Sequence, residues 1–205
     1  MSKIAIFDYG AGNIFSIKVA FERLCADVEV IRSMDNLDLY KALILPGVGN
    51  FDPAMKSIMP YKDRLLEAID SGMPMLGICL GMEMLFERSE EGTLPGLSIL
   101  AGEVVMLPRS VKIPHMGWNR LRIDASSSNS SVLLNGIEDG TWMYFVHSYH
   151  ARPRDGRVVS ARSEYGVEFP AVIEHGNIFG TQFHPEKSGS DGMHMLTNFL
   201  NHIKR

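Results

Sequence analysis

The chain has 205 residues, 45% of them hydrophobic, and a formal net charge of -4. That charge gives no electrostatic reason to expect nucleic acid or an anionic membrane as partner. Two cysteines, Cys25 and Cys79, are too few for a disulfide framework. No window approaches the roughly 18–20 uninterrupted apolar residues of a membrane span. The start, Met1 to Asp8, lacks the basic opening and long apolar stretch of a signal peptide. These features predict a reduced, cytoplasmic chain with residues 1–205 forming one domain.

Lys3 to Phe7 (KIAIF) is a short apolar run followed by a glycine-rich turn at Tyr9 to Asn13. Ile14, Ile17, Phe21 and Leu24 then recur at helical spacing. Val28–Ile31, Ala42–Leu45 and Met75–Ile78 are further short apolar runs, and Leu65, Leu66 and Ile69 mark a helix before the last of them. Short apolar strands alternating with helices imply a parallel sheet buried on both faces, so the first half reads as doubly wound α/β. From Ile99 to Ile178 the character changes. EVVML, RLRI, WMYFV, RVVSA, AVIE and NIFG are β-like runs punctuated by glycine, proline and serine, with no helix pattern between them. They predict a β-rich layer added to the parallel sheet. Asp124–Ser131 (DASSSNSS) is the most loop-like stretch and is expected to be mobile. The chain returns to helix with Leu196, Phe199, Leu200 and Ile203 on one face.

Gly77-Ile78-Cys79-Leu80-Gly81 has the form of a nucleophile elbow, with cysteine where another hydrolase family puts serine. An apolar strand ends at Ile78, and helix-compatible residues follow Gly81. The glycines remove side chains that would clash at such a turn. A helix N-terminus aimed at the thiol would favour the reactive thiolate. The bland reading of a cytosolic cysteine is buried packing, and that reading is kept for Cys25. Gln182-Phe183-His184-Pro185-Glu186 follows the strand-like run at Ile178–Gly180. Sites in open α/β sheets collect at carboxyl ends of strands. A cysteine nucleophile needs a base, and the base needs an orienting group. His184 and Glu186 can supply these roles, and they would otherwise be surface groups in a proline turn. Leu45-Pro46-Gly47-Val48-Gly49 also follows a strand, and its backbone N–H groups could help bind an oxyanion.

Other patterns carry less. Gly10-Ala11-Gly12 follows the first strand, but a dinucleotide fingerprint needs a glycine at position 15, which is Phe15. His147 and His150 are three apart in a β-like region and would tend to face opposite sides, a poor chelating pair. The 13 methionines are scattered and read as core filler.

FDYGAGN, LPGVGNF, GICLGME, PHMGWN, YFVHSYH and QFHPEKS occur in this order from Phe7 to Ser188. GICLGM and HPE resemble the class I glutamine amidotransferases. DYGAGN, PHMGWN and FVHSYH narrow the resemblance to the glutaminase subunits of imidazole glycerol phosphate synthase, enzymes of histidine biosynthesis. The resemblance implies a flavodoxin-like α/β fold with a central, mostly parallel sheet and flanking helices. It also implies glutamine as substrate, no metal or other cofactor, and a heterodimer with a (β/α)8-barrel cyclase that receives the ammonia.

Carried over by position, Cys79 matches the nucleophile, His184 the base and Glu186 the orienting acid. The N–H groups of Leu80 and Val48 match the oxyanion donors, the second after a peptide rotation around Gly47–Val48. Gly47, Gly49, Glu83, Ser148 and Tyr149 fall at substrate-binding positions. Asn13, Trp118, Tyr144 and Lys187 fall at positions that face the cyclase or the tunnel mouth.

The family often has glutamine where this chain has Glu83. Glutamate keeps the shape, loses the amide donor and would add a charge near a thiolate. This departure keeps open a weakly active or scaffold subunit. A paralogous subunit of a surface-sugar pathway and a stand-alone cysteine hydrolase also stay open.

Overall fold

Alternating apolar residues drive the central sheet. In β1 (Lys3–Phe7), Ile4 and Ile6 point to one face and Ala5 and Phe7 to the other. In β3 (Ala42–Leu45) and β4 (Met75–Ile78) both faces are likewise fully buried. A strand covered on both sides reads as a continuous apolar run, which is why these three were legible. The computed structural model describes residues 3–10, 13–123 and 131–204. The predicted mobility of the serine-rich stretch therefore lies outside the described residues, apart from Ser131. That residue is buried, and its hydroxyl donates to Glu174 at 2.5 Å.

The main sheet has the order β10-β11-β12-β4-β3-β1-β2. Here β2 is Asp27–Ile31, β10 Val159–Glu164, β11 Glu168–His175 and β12 Ile178–Thr181. The pairings β2–β1–β3–β4–β12 are parallel, and β12–β11–β10 are antiparallel. Helices cover both faces. On one side, α1 (Ile14–Arg23) and the C-terminal α5 (Gly189–Ile203) pack Phe21, Leu196 and Phe199 against Ile4, Ile44 and Leu76. On the other side, α2 (Phe51–Ile58) and α3 (Lys62–Asp70) pack Phe51, Ile58 and Leu65 against Phe7, Leu43 and Met75. The strand order reverses at β1, and in such a sheet the crevice lies at the carboxyl ends of the parallel strands.

The added β-rich part of the second half divides its strands among three sheets. The runs AVIE and NIFG extend the main sheet itself as β11 and β12. EVVML becomes β6 (Gly102–Met106), which pairs with β5 (Arg88–Ser89) and β9 (Tyr149–Pro153) in a small sheet. WMYFV becomes β8 (Trp142–His147), antiparallel to β7 (His115–Arg120).

RLRI is not a strand of its own. Only Arg120 belongs to β7, and Arg122 makes an isolated bridge to Arg162. In RVVSA the strand starts at Val159, after a 3-10 turn at Gly156–Val158. The sequence analysis assigns no helix to α2, although Phe51, Ala54, Met55 and Ile58 recur at helical spacing and Pro53 is compatible with a first helical turn. Cys25 is exposed at φ 59 in the turn after α1, so it is not core packing. Among the described residues, no helix is long and apolar enough to cross a membrane.

Candidate active site

The crevice brings three strand ends together. Cys79 follows β4 directly, with φ 52 and ψ -108, and its N–H donates to the Thr181 carbonyl of the neighbouring β12 at 2.7 Å. A non-glycine residue held in such a conformation stores about 1–3 kcal/mol of strain, which the surrounding packing must offset. That packing depends on glycine. A Cβ on Gly77 would lie 2.6 Å from the Gly81 carbonyl oxygen, and one on Gly81 would strike the Leu45 carbonyl. A Cβ on Gly47 would strike the Ile78 carbonyl and the Leu80 nitrogen. The 45–49 loop and the elbow therefore interlock backbone against backbone.

The helix after Cys79, α4, begins at Leu80 and has only four residues (Leu80–Glu83). Its field does not dominate as expected. Burial pushes the Cys79 thiol well above its ordinary value, and the nearby Glu83 and Glu186 carboxylates add to this. The Leu80 N–H and Gln182 oppose it. A desolvated thiolate beside carboxylates costs more than one short helix turn returns, so the resting sulfur is a neutral thiol.

His184 lies just past β12, with its N–H on the Tyr144 carbonyl at 2.9 Å. Its Nδ1 is 2.9 Å from Glu186 Oε1, and the two side chains are 2% and 0% exposed. A carboxylate accepts, so Nδ1 carries the proton and a neutral ring leaves Nε2 as a bare base. Nε2 is buried and has no hydrogen-bond partner among the described residues. The expected triad is thus joined at two of its three members. The thiol Sγ is directed at the Val146 carbonyl, 3.5 Å away, rather than at His184.

A cleft of about 300 Å³ opens over Cys79. Val48 and Gly49 line it from the loop after β3, Leu80 and Glu83 from α4, and Ser148 and Tyr149 from the β8–β9 junction. Gly47 packs beneath as described, and Gly49 has φ 138, a conformation that suits glycine. Glu83 is 4% exposed, and burial raises its carboxyl to about 8, with Gln182 opposing the rise. Near neutral pH it is therefore mostly protonated. It supplies an O–H donor instead of the charge expected from the sequence.

The four residues assigned to a partner-facing surface sit differently. Trp118 is 52% exposed and meets the half-buried Tyr144 edge to face at 5.9 Å. Lys187 is half-buried in the 3-10 turn Pro185–Lys187, against which α1 packs. Asn13 caps α1, its side chain accepting from the Ser16 N–H at 3.2 Å.

Sequence reasoning missed three neighbours of the site. Gln182 donates to Glu83 and reaches toward Cys79. Glu91 lines the cleft and accepts from the Phe51 N–H at 3.0 Å. Nothing local separates it from the nearby Glu87 and Glu90. Tyr9 is buried just past β1, and its hydroxyl has no hydrogen-bond partner among the described residues. His147 and His150, read as one β-like stretch, fall on two strands.

Residues 5–203 match the sequence model of the family glutamine amidotransferase class-I. The chain belongs to that family. It is 46% identical over 202 residues to imidazole glycerol phosphate synthase subunit HisH of Moorella thermoacetica, covering 97% of this chain and 94% of that one. It is 47% identical over 202 residues to the subunit of the same name from Methanothermobacter thermautotrophicus, covering 98% and 99%. Among solved structures, PurLQS from Thermotoga maritima superposes with a TM-score of 0.78 at 22% identity, covering 99% of this chain and 100% of that one. The glutaminase domain of Trypanosoma brucei CTPS with bound acivicin superposes with a TM-score of 0.68 at 14% identity, covering 98% and 94%. At these identities the two structures speak to the fold alone, and the flavodoxin-like, mostly parallel architecture agrees with them.

Proposed function

We propose that this amidotransferase is the glutaminase subunit of an imidazole glycerol phosphate synthase, acting in histidine biosynthesis in the cytoplasm, with residues 1–205 working as one domain. The observation that carries the catalytic part is a buried His184, just past the strand that neighbours the Cys79 elbow, whose Nδ1 is held by Glu186 and whose Nε2 has no hydrogen-bond partner among the described residues, beside a strained Cys79 that lines the cleft. Relatives at 41–47% identity over nearly the full length of both chains carry the HisH subunit name and support the pathway.

Glutamine enters the cleft beside Ser148 and Tyr149. The Cys79 side chain turns from the Val146 carbonyl toward His184 Nε2, which takes the thiol proton. The sulfur attacks the side-chain amide carbon, and backbone N–H groups of Leu80 and Val48 hold the oxyanion, the second after a rotation at Gly47–Val48. One such donor is worth about 3–4 kcal/mol of barrier. His184 returns the proton to the leaving nitrogen, ammonia departs, and water hydrolyses the thioester to glutamate. Each proton stays on His184 between steps, and Glu186 stabilises the imidazolium.

The ammonia passes to a (β/α)8-barrel cyclase. Trp118, Tyr144, Lys187 and Asn13 are assigned to the docking face and tunnel mouth of that heterodimer. Glu83 in its neutral form supports an active subunit over a mere scaffold, because its O–H replaces the amide donor that glutamine would supply.

The test is glutamate release from glutamine by the chain alone, then with the cyclase and its nucleotide ligand. A strong rise with the liganded partner is expected. Cys79→Ala is expected to abolish that release while the complex still cyclises with added ammonium salts. Absence of release in both settings, with the partner bound, would overturn the glutaminase assignment.

A further inference from the structure

A row of buried polar side chains that the mechanism does not use runs behind Ser148 and Tyr149. His115 on β7 and His147 on β8 are paired across the two strands, and His115 Nδ1 lies 2.9 Å from His147 Nε2. His147 Nδ1 lies 2.8 Å from the Tyr149 carbonyl oxygen. At the other end, the Asn119 amide nitrogen is 3.4 Å from His115 Nε2 and donates to the Glu164 carbonyl at 2.9 Å. The two rings are only 3% and 5% exposed.

Chemistry sets the direction of every bond. A carbonyl only accepts, so His147 Nδ1 carries a proton. Burial pushes His115 down to about 4 and His147 to about 3, so each ring is neutral near pH 7 and holds a single N–H. His147 Nε2 is then a bare acceptor, His115 Nδ1 is the donor, and His115 Nε2 receives the Asn119 N–H. Both rings are held in the Nδ1–H form, the less populated one in free histidine. His115 also stacks on Tyr165 at 4.0 Å and on Phe145 at 5.1 Å, which fixes its plane.

We propose that His115 is a positioning residue for glutamine binding: through His147 it orients the Tyr149 peptide and the Ser148 before it. Residues 115, 117 and 119 share one face of β7, while Met116 and Trp118 are exposed on the other. The same strand therefore carries the inner hydrogen-bonded row and an outer apolar face. This inference rests on the reading that glutamine occupies the cleft beside Ser148 and Tyr149.

Two substitutions separate positioning from packing. His115→Phe keeps an aromatic ring on Tyr165 and removes the donor. His115→Asn places an N–H near the Nδ1 position and loses the stack. In the complex with the cyclase and its nucleotide ligand, His115→Phe is expected to raise KM for glutamine tenfold or more. Its kcat and its ammonia-dependent cyclisation stay within threefold, and His115→Asn recovers most of the KM. The opposite order, with Phe neutral and Asn damaging, would show that the ring only packs and would overturn the proposal. Imidazole nitrogen NMR of the unaltered chain at pH 7 tests the relay without any activity. Two Nδ1–H rings are expected, and an Nε2–H ring at either position would sink the relay. A complex that hydrolyses no glutamine while both rings show Nδ1–H would instead remove the functional reading, and with it the role in glutamine binding.

Discussion

The Gln182 side-chain amide donates to Glu83 at 2.8 Å, and the same nitrogen lies 3.9 Å from the Cys79 sulfur. Glu83 and the nucleophile are thus two branches of one buried contact. A proton on Glu83 keeps a negative charge away from the forming thiolate. As pH rises through about 8, Glu83 ionises, its O–H donor is lost, and its charge raises the thiol further.

Glu83→Gln should therefore remove an alkaline decline near pH 8 from kcat/KM for glutamine, with a change at pH 7 within about threefold. A pH–rate profile of the two forms side by side checks this. An unchanged profile would place the decline on another group.

The same substitution has a signature in stability. The folded carboxyl sits at about 8, above its ordinary value of 4.5. Below 4.5 both folded and unfolded forms hold the proton, so there is no penalty. Between the two values only the folded form holds it, and stability falls as pH rises, levelling off above 8. Relative to the natural chain, Glu83→Gln should gain on the order of a few kcal/mol from pH 4 to pH 8. Denaturant unfolding at those two pH values measures it.

At Cys79 the usual ranking of alanine over glycine should vanish or invert. The residue has φ 52, where any Cβ is strained. At an ordinary position glycine costs about 0.5–1 kcal/mol relative to alanine. Here relief of strain of about 1–3 kcal/mol should leave Cys79→Gly at least as stable as Cys79→Ala. Thermal unfolding of the two inactive variants compares them directly, and a clear advantage for alanine would argue against stored strain.

Gly47→Ala should damage both fold and chemistry. Its Cβ would meet three backbone atoms of the elbow, which cannot swing aside as side chains do. We expect a loss of about 1–3 kcal/mol of stability and a drop in glutamine turnover of more than tenfold. Near-normal turnover would mean that the 45–49 loop moves independently of the elbow.

Glu186→Gln should leave the His184 site intact in shape but lower kcat by about 10³–10⁴-fold, since a buried amide no longer enforces the Nδ1–H form. Steady-state kinetics with the partner present decide it. A loss of less than tenfold would assign the orientation of His184 to the backbone alone.

Local chemistry by itself determined the strands β1, β3 and β4, the helices α1, α3 and α5, and the elbow at Cys79. Strands buried on both faces must be apolar throughout, amphipathic helices must repeat their apolar residues, and a strained turn must be flanked by glycine. His184 and Glu186 were legible because two residues of spacing already place a histidine and a carboxylate within reach. The tertiary structure alone decided what depends on distant segments meeting. Glu91 caps Phe51 from 40 residues away, and His115 meets His147 from 32 residues away. The protonation of Glu83 and Cys79 was likewise settled by folding, not by residue type. Desolvation depends on how completely the rest of the chain closes over a group, and no local pattern records that closure.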